Sequence, residues 1–231
     1  ARRHYQNSFR LHWRGGALQT EELPPLPFPI ANGCAALVGG TFFVCGGQKE
    51  PTGPALDSLL AMDLEAKPLV WRTPASRPGG GRILSIAASA GGEFWSIGGA
   101  TIEVGPIGKP ARRYQTDVYS YKEGRGWRRR ADLPAALAAA PSPAPTIGNG
   151  PAVLGGDDGT QASLAPERHR GFSKKIWVYD TASERWKETD AVAAPRVTTG
   201  IAEWRGGWAI PSGEVRPGIR SSEVWRITFK K

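Results

Sequence analysis

Val44-Cys45-Gly46-Gly47 is the first of several segments in which an apolar run ends in a pair of small residues. Ser96-Ile97-Gly98-Gly99 and Val153-Leu154-Gly155-Gly156 repeat the pattern, and Ile210-Pro211-Ser212-Gly213 is a degenerate fourth copy. The copies follow one another at intervals of 52 to 57 residues. A regular period of this length is typical of repeat architectures in which each unit is one supersecondary structure.

Each copy lies within the same order of predicted strands. An apolar hairpin, such as Cys34 to Val38 with Thr41 to Cys45, comes before the glycine pair, and an alternating strand such as Asp117 to Tyr121 follows after a variable loop. A tryptophan marks the fourth strand of three units, at Trp71, Trp127 and Trp186. Four strands per unit, a glycine pair and a late tryptophan predict an all-β fold of the kelch-type β-propeller class.

The strand pattern predicts a single kelch β-propeller domain over residues 1–231. We expect the second half of a blade in 4–27, whole blades in 31–76, 82–134 and 138–190, and a last blade without its closing strand in 196–231. Such a chain forms an incomplete ring of about four blades. We therefore expect that an N-terminal part of the propeller is missing.

The composition and the charge exclude several classes of function. The chain is 40% hydrophobic, which is enough for a packed core, and its formal net charge of +9 favours an anionic partner. Basic residues are dense in Arg125 to Arg130, which we interpret as a solvated strand end and not as a nucleic-acid patch. No apolar stretch reaches the length of a membrane span. Cys34 and Cys45 flank the turn Gly39-Gly40 symmetrically, so they face each other across the predicted hairpin at a distance that a disulfide could span. We favour two buried thiols over a disulfide.

Charged residues after the third glycine pair are a first candidate for a site, because the loops after the second strand of each blade gather at one mouth of a propeller. This loop carries Asp157 and Asp158, and then Arg168 and His169. The alternative is structural, since Asp-Asp-Gly is ordinary turn chemistry and a lone histidine between two arginines is more often a surface residue.

The corresponding loop of the last unit is a second candidate. It contains Glu214, Arg216 and Arg220 around a Pro-Gly turn, which suits recognition of an anion with proton transfer beside it. A structural salt bridge from Glu214 to Arg216 or Arg220 that stiffens the loop is an equally good interpretation. The three histidines and two cysteines have no metal-ligand spacing, so we predict no metal and no other cofactor.

Three segments of the chain resemble the cyclically permuted mutarotases, a family of kelch-repeat proteins. They are Ile210 to Arg220, which contains the element Gly-Glu-x-[Lys/Arg]-Pro-Gly-x-Arg, Gly155 to Gly159, and Glu167 to Phe172. The resemblance runs over essentially the whole chain and implies a six-bladed propeller in the complete protein. By the same resemblance, Glu214 is the proton acceptor and Arg220 is an essential arginine. Members from Gram-negative bacteria resemble exported periplasmic proteins.

The resemblance implies an isomerase that interconverts the α and β anomers of N-acetylneuraminate (sialic acid) or a related sugar acid. Arg220 would hold the sugar carboxylate while Glu214 acts as the base. The expected substrate-binding residues are Arg216, Arg168, Asp157 and Asp158. The expected partner is thus a small anionic sugar, with no nucleic acid and no membrane, and the oligomeric state stays open. The alternatives are a non-catalytic kelch interaction module and a sugar-acid-binding lectin, which would need Arg220 but not Glu214.

Overall fold

Strands and one turn of 3₁₀ helix make up the regular structure of this protein, which a computed structural model describes over residues 3–105 and 108–229. The strands are β1 (Ser8–Arg14), β2 (Ala17–Leu23), β3 (Cys34–Val38), β4 (Thr41–Cys45), β5 (Leu59–Asp63), β6 (Ile86–Ala90), β7 (Glu93–Ile97), β8 (Ala100–Val104), β9 (Pro110–Tyr114), β10 (Val118–Lys122), β11 (Gly126–Arg130), β12 (Thr146–Ile147), β13 (Gly150–Gly156), β14 (Ser173–Asp180), β15 (Arg185–Ala191), β16 (Ala202–Trp204), β17 (Gly207–Pro211), β18 (Glu214–Arg216), β19 (Ile219–Arg220) and β20 (Val224–Ile227). The 3₁₀ turn spans Pro166–Arg168.

The strands form five antiparallel sheets that follow one another along the chain. Numbered from first to fifth, they are β1-β2, β3-β4-β5, β6-β7-β10-β11, β12-β13-β14-β15 and β16-β17-β20. The second sheet gains an outer partner through the bridge between Ala61 and Arg72. Two further hairpins, β8-β9 and β18-β19, extend from the third and fifth sheets. Both hairpins come directly after the second strand of their sheet, which brings them to the same side of the fold.

Neighbouring sheets share their hydrophobic cores. Phe43 of the second sheet packs on Phe94 of the third with ring centroids 5.5 Å apart. Trp95 of the third sheet contacts Tyr179 of the fourth at 5.0 Å, and the cluster between the fourth and fifth sheets includes Ile210. The second to fifth sheets therefore pack face to face in the order of the chain, which is the arrangement of a β-propeller.

The repeated tryptophans join each sheet to the connector before it. In three sheets the indole N–H donates to a backbone carbonyl, from Trp71 to Pro24 at 2.9 Å, from Trp127 to Ala75 at 3.4 Å and from Trp186 to Ala131 at 2.9 Å. The three indoles are partly buried, and an acceptor for the N–H lets each ring pack without leaving a polar group unsatisfied. The regular spacing of the tryptophans in the sequence thus corresponds to a repeated contact between sheets.

The glycine pairs allow close approach where the connectors cross. A Cβ atom on Gly98 would lie 2.3 Å from the carbonyl oxygen of Leu137, and one on Gly46 would lie 2.4 Å from that of Arg82. Both glycines also have positive φ, of 54° and 69° respectively. A side chain at either position would therefore cause both a steric clash and backbone strain.

A chain of backbone hydrogen bonds connects the second to the fifth sheets near their inner strands. Leu84 N–H donates to Asn32, Ala139 N–H donates to Leu84 and Thr198 N–H donates to Ala139, each over 2.8 Å. All four residues have φ between 56° and 59°. This left-handed backbone conformation is rare for residues other than glycine. Here it recurs at four successive sheets and directs each carbonyl toward the next sheet. The four residues surround the point at which the sheets converge.

Cys34 and Cys45 pair across β3 and β4, and both are buried free thiols, as predicted. The interpretation of Arg125 to Arg130 as a solvated strand end is wrong for Arg130. Its side chain is 10% exposed and contacts Glu93 at 2.6 Å and Glu184 at 3.2 Å. In the described part of the chain, no helix has the length and apolarity that crossing a membrane requires.

Candidate functional site

A cavity of about 460 Å³ lies where loops of the third, fourth and fifth sheets meet. Its polar lining includes Arg112, Tyr114, Asp157, His169 and Glu214. Leu84, Ala139 and Thr198 of the central hydrogen-bond chain also contact it. The same three residues line a second cavity of about 660 Å³ among the inner strands. The smaller cavity therefore lies at one mouth of the central channel of the propeller.

Glu214 is held in the cavity by both its backbone and its carboxylate. The residue exchanges two backbone hydrogen bonds with Val197, at 2.9 and 3.1 Å. Its carboxylate accepts a hydrogen bond from the Gly218 N–H at 3.2 Å, which closes the β18-β19 hairpin. The side chain is 23% exposed. A carboxylate fixed in this way needs no rearrangement to take a proton from a ligand in the cavity.

Arg220 is the cross-strand partner of Glu214. Its guanidinium lies 3.8 Å from the Glu214 carboxylate and donates to the carbonyl oxygen of Thr198 at 3.3 Å. The side chain is 53% exposed, so the guanidinium is accessible to solvent beside Glu214, although Arg220 is not among the residues that line the cavity. The structure therefore brings together the two residues for which the sequence predicted catalytic roles.

Arg216 does not reach this cavity. It lines a separate depression together with Arg170 and Arg196. Two residues apart on a regular strand share one face, but the register of β18 shifts between Glu214 and Arg216. This irregularity turns Arg216 away from Glu214. Arg216, which the sequence predicted to bind the substrate, is therefore not among the residues that line the cavity.

Asp157 lines the cavity and is held by Tyr114. The Tyr114 hydroxyl donates to the Asp157 carboxylate at 2.7 Å, and the Gly159 N–H donates to the other oxygen at 3.0 Å. Burial of the phenol, together with the adjacent carboxylate, raises the pKa of Tyr114 to about 12. The phenol is thus neutral and acts as a hydrogen-bond donor throughout the physiological range.

Asp158 and Arg168 are not among the residues that line the cavity. Asp158 accepts hydrogen bonds from the backbone and hydroxyl of Thr160, at 2.9 and 2.6 Å. This is the turn chemistry that was the alternative interpretation of the Asp-Asp-Gly segment. Arg168 is exposed at the end of the 3₁₀ turn.

His169 is a buried residue of the cavity wall, so its assignment to the surface is wrong. The side chain packs on Phe172 with ring centroids 5.0 Å apart, and the residue is 3% exposed. Its Nδ1 accepts a hydrogen bond from the Gly171 N–H at 3.1 Å. A neutral ring with this acceptor carries its proton on Nε2.

Sequence reasoning missed Arg112 and Tyr114, because the residue pattern between Gly99 and Asp117 indicates only a variable loop. The segment contains the β8-β9 hairpin, in which Ala100 pairs with Tyr114 and Ile102 with Arg112. A signal existed in the alternation of Ala100 to Val104, but Pro110 and a cluster of arginines obscure the second strand. Across residues 3–105 and 108–229, no group of three or more histidine, cysteine or acidic side chains is placed to hold a metal ion.

Comparison with known proteins gives relatives that carry one name. No family model matches the chain. The chain is 21% identical over 231 residues to the N-acetylneuraminate epimerase of Haemophilus influenzae (strain 86-028NP), an alignment that covers 89% of this chain and 59% of the relative. It is 25% identical over 252 residues to the N-acetylneuraminate epimerase of Brucella melitensis, with 95% and 62% covered. The chain therefore spans about three fifths of the length of these curated relatives.

A solved structure, that of YjhT, shares the fold. It superimposes with a TM-score of 0.71 at 18% sequence identity, over 90% of this chain and 65% of the YjhT chain. The predicted all-β propeller fold is confirmed by this match and by the order of the sheets, while the number of blades stays a prediction. The matches also confirm the resemblance that the sequence motifs indicated.

Proposed function

We propose that this chain, which is related to the N-acetylneuraminate epimerases, is a mutarotase that interconverts the α and β anomers of N-acetylneuraminate or a closely related sugar acid. The observation that carries the proposal is the position of Glu214, a carboxylate fixed in the cavity with the Arg220 guanidinium 3.8 Å away. We also propose that the five sheets are blades of one kelch-type propeller domain, in which the β18-β19 hairpin presents this pair at the mouth of the channel.

The reaction needs one proton to leave an oxygen atom and another to arrive at a second oxygen. In the ring form, Glu214 removes the proton of the anomeric hydroxyl, whose oxygen then forms the carbonyl as the bond between the anomeric carbon and the ring oxygen breaks. The ring oxygen receives a proton from the medium or from the protonated Glu214. In the open chain, rotation about the bond between the carbonyl carbon and the next chain carbon, which was a ring bond before opening, presents the other carbonyl face to the hydroxyl. The reverse steps then close the ring as the opposite anomer.

The surroundings of Glu214 support this assignment. A general base must lie within hydrogen-bond reach of its proton, and the Glu214 carboxylate lines a cavity large enough for a monosaccharide. Arg220 supplies positive charge next to the base and suits a substrate that carries a carboxylate. The formal net charge of +9 also favours an anionic substrate over a neutral one.

The test is the rate at which freshly released α-N-acetylneuraminate converts to the β anomer, followed by proton NMR. We expect acceleration in proportion to protein concentration and a loss of about 10²- to 10⁴-fold in Glu214→Gln. Glu203→Gln is the matched control, because Glu203 is an exposed glutamate of β16 outside the cavity. It should keep the rate of the wild type.

Two results would contradict the proposal. If conversion is no faster than in buffer, the protein is not a mutarotase. If it binds the sugar acid without converting it, the protein is a lectin. An equal rate in the wild type and Glu214→Gln, with both proteins folded, would mean that another group is the base.

A further inference from the structure

Of the described residues that line the candidate cavity, Arg112 is the single arginine. It lies on β9, next to Tyr114, in the hairpin that extends from the third sheet. Among residues 3–105 and 108–229, no salt-bridge partner is found for its guanidinium, whereas Glu214 on the same cavity has Arg220 nearby. An exposed guanidinium beside a cavity, without a carboxylate partner in the protein, can accept one from a ligand.

The direction of Arg112 follows from the geometry of β9. Residues two apart on a strand share a face, and Arg112 and Tyr114 both line the cavity. Arg113 between them is directed away, where it forms a salt bridge with Glu103 at 3.2 Å and is 68% exposed. The two adjacent arginines therefore lie on opposite faces of β9. Arg112 reaches the cavity and Arg113 does not, so Arg113 is a matched control for Arg112.

No other arginine is found among the described residues that line this cavity. Arg220 already has the Glu214 carboxylate and the Thr198 carbonyl as acceptors. Arg216 lines a different depression, and Arg168 is not in the lining of this cavity. Arg112 is thus the best-placed cation for the charged group of a substrate.

Polar neighbours orient the wall around Arg112. Tyr114 is fixed by its hydrogen bond to Asp157 at 2.7 Å. Arg112 and Tyr114 line the same cavity. Burial and Asp157 raise the pKa of Tyr114, and the positive charge of Arg112 lowers it in part. The Arg112 guanidinium therefore lies beside a rigid hydrogen-bonding surface.

We propose that Arg112 is the anchor for the carboxylate of the substrate, and that it acts from the β8-β9 hairpin while Glu214 acts from the β18-β19 hairpin. The inference rests on the proposed function. In N-acetylneuraminate the carboxylate and the anomeric hydroxyl are attached to the same carbon atom. An arginine that grips the carboxylate at two points thus fixes which side of that carbon faces the base. Arg220 then serves the Glu214 side of the reaction instead of being the main carboxylate contact.

The test compares Arg112→Gln with Arg113→Gln in the NMR assay of anomer conversion at varied substrate concentration. Loss of a charge-assisted, two-point contact should raise KM about 10- to 100-fold in Arg112→Gln, with a smaller change in kcat. Arg113→Gln should match the wild type. Arg112→Lys, which keeps the charge without the planar fork, should give an intermediate KM and shows that the effect is not one of folding.

The methyl ester of the same sugar provides a second test, because it lacks the negative charge of the carboxylate but keeps the rest of the sugar. The wild type should lose affinity for the ester, whereas Arg112→Gln should bind the ester and the acid about equally. Direct titration by ligand-observed NMR measures this affinity without any need for turnover.

The outcomes separate the two proposals. A wild type that converts anomers, with an unchanged KM in Arg112→Gln, overturns the anchor and leaves the mutarotase standing. A wild type that binds the acid without converting it, and loses that binding in Arg112→Gln, overturns the mutarotase and supports the anchor. Equal binding of the acid and the ester by the wild type would also overturn the anchor.

Discussion

Arginine and carboxylate side chains meet in two regions of this molecule, with opposite surroundings. In the buried arginine cluster, Asp117 contacts Arg77 at 3.1 Å and Arg82 at 2.6 Å, and the two guanidinium groups are 0% and 3% exposed. Beside the cavity, Arg220 lies 3.8 Å from Glu214, which lines it, and Arg220 is 53% exposed. The same pair of chemical groups is thus packed in one place and open to a ligand in the other.

The difference shows that an arginine–carboxylate pair can stabilise the fold in one place and leave a carboxylate available for chemistry in another. Arg77 also donates to Ser96 at 2.9 Å and lies over the ring of Tyr119, so its charge is enclosed on all sides. Such a cluster fixes the connector between the second and third sheets but has no room for a substrate. Glu214, by contrast, keeps one side toward the cavity, and its weaker ion pair leaves the carboxylate available for proton transfer.

The largest expected effect comes from breaking the buried arginine cluster. Asp117→Asn leaves two enclosed guanidinium groups without a negative charge, which should lower the free energy of unfolding by about 3–5 kcal/mol. Urea unfolding followed by tryptophan fluorescence measures the change. A fall of less than about 1 kcal/mol would show that the cluster is not the structural support that its burial indicates.

A change on the cavity side should affect the reaction and not the fold. Arg220→Gln removes the charge beside Glu214, and we expect kcat/KM for anomer conversion to fall about 10- to 100-fold. The midpoint of urea unfolding should stay close to that of the wild type, because the side chain is mostly exposed. Unfolding that parallels the loss of rate would make Arg220 a structural residue, and the contrast between the two regions would not hold.

Much of the fold could be predicted from the sequence, because the inner strands have a regular apolar pattern. β3 and β4 begin and end at the predicted residues, and the glycine pairs and tryptophans mark contacts that recur between sheets. The β8-β9 hairpin could not be found in this way. Most of its side chains are exposed on both faces, so no hydrophobic alternation reveals the second strand.

The candidate site was predictable in part. Glu214 and Arg220 belong to a short, distinctive motif, whereas Arg112 and Tyr114 lie in the hidden hairpin. Simple alternation makes Arg216 equivalent to Glu214, but Arg216 is turned away because the register of β18 is irregular. Local departures of this kind depend on tertiary pairing, and residue types alone do not encode them.

Tyr114 joins the β8-β9 hairpin to Asp157 at the end of β13 and should have an intermediate effect. Tyr114→Phe removes the hydrogen bond to Asp157 and should lower the free energy of unfolding by about 1 kcal/mol. The pKa of this phenol is raised to about 12, above that of an unfolded tyrosine, through burial and Asp157. Its contribution to stability is therefore complete below about pH 10 and is lost as the pH rises toward 12.

Denaturation midpoints between pH 8 and about pH 12 check this sign. The stability difference between the wild type and Tyr114→Phe should shrink as the pH approaches the pKa of about 12. A difference that stays constant, or grows, would mean that the phenol does not donate to Asp157 in solution.

The smallest effect is expected at Glu223, the counterpart of Asp117 in the fifth sheet. Arg196 matches Arg82, since both donate to the preceding carbonyl and to the acidic residue before the third strand. Glu223 is 61% exposed, whereas the Asp117 side chain is 12% exposed. Glu223→Gln should therefore reduce the melting temperature by less than Asp117→Asn does, and an equal reduction would show that exposure does not set the strength of these pairs.

One measurement tests most directly whether the cavity carries the activity and the buried arginine cluster only the stability. It is the rate of anomer conversion per folded molecule, compared in Glu214→Gln and Asp117→Asn. Near-ultraviolet circular dichroism gives the folded fraction, and proton NMR of N-acetylneuraminate gives the rate. We predict a folded Glu214→Gln protein that converts the sugar hardly faster than buffer, and an Asp117→Asn protein whose folded molecules work at the rate of the wild type. Full activity in folded Glu214→Gln would contradict the assignment of the base, and with it the function proposed for the cavity.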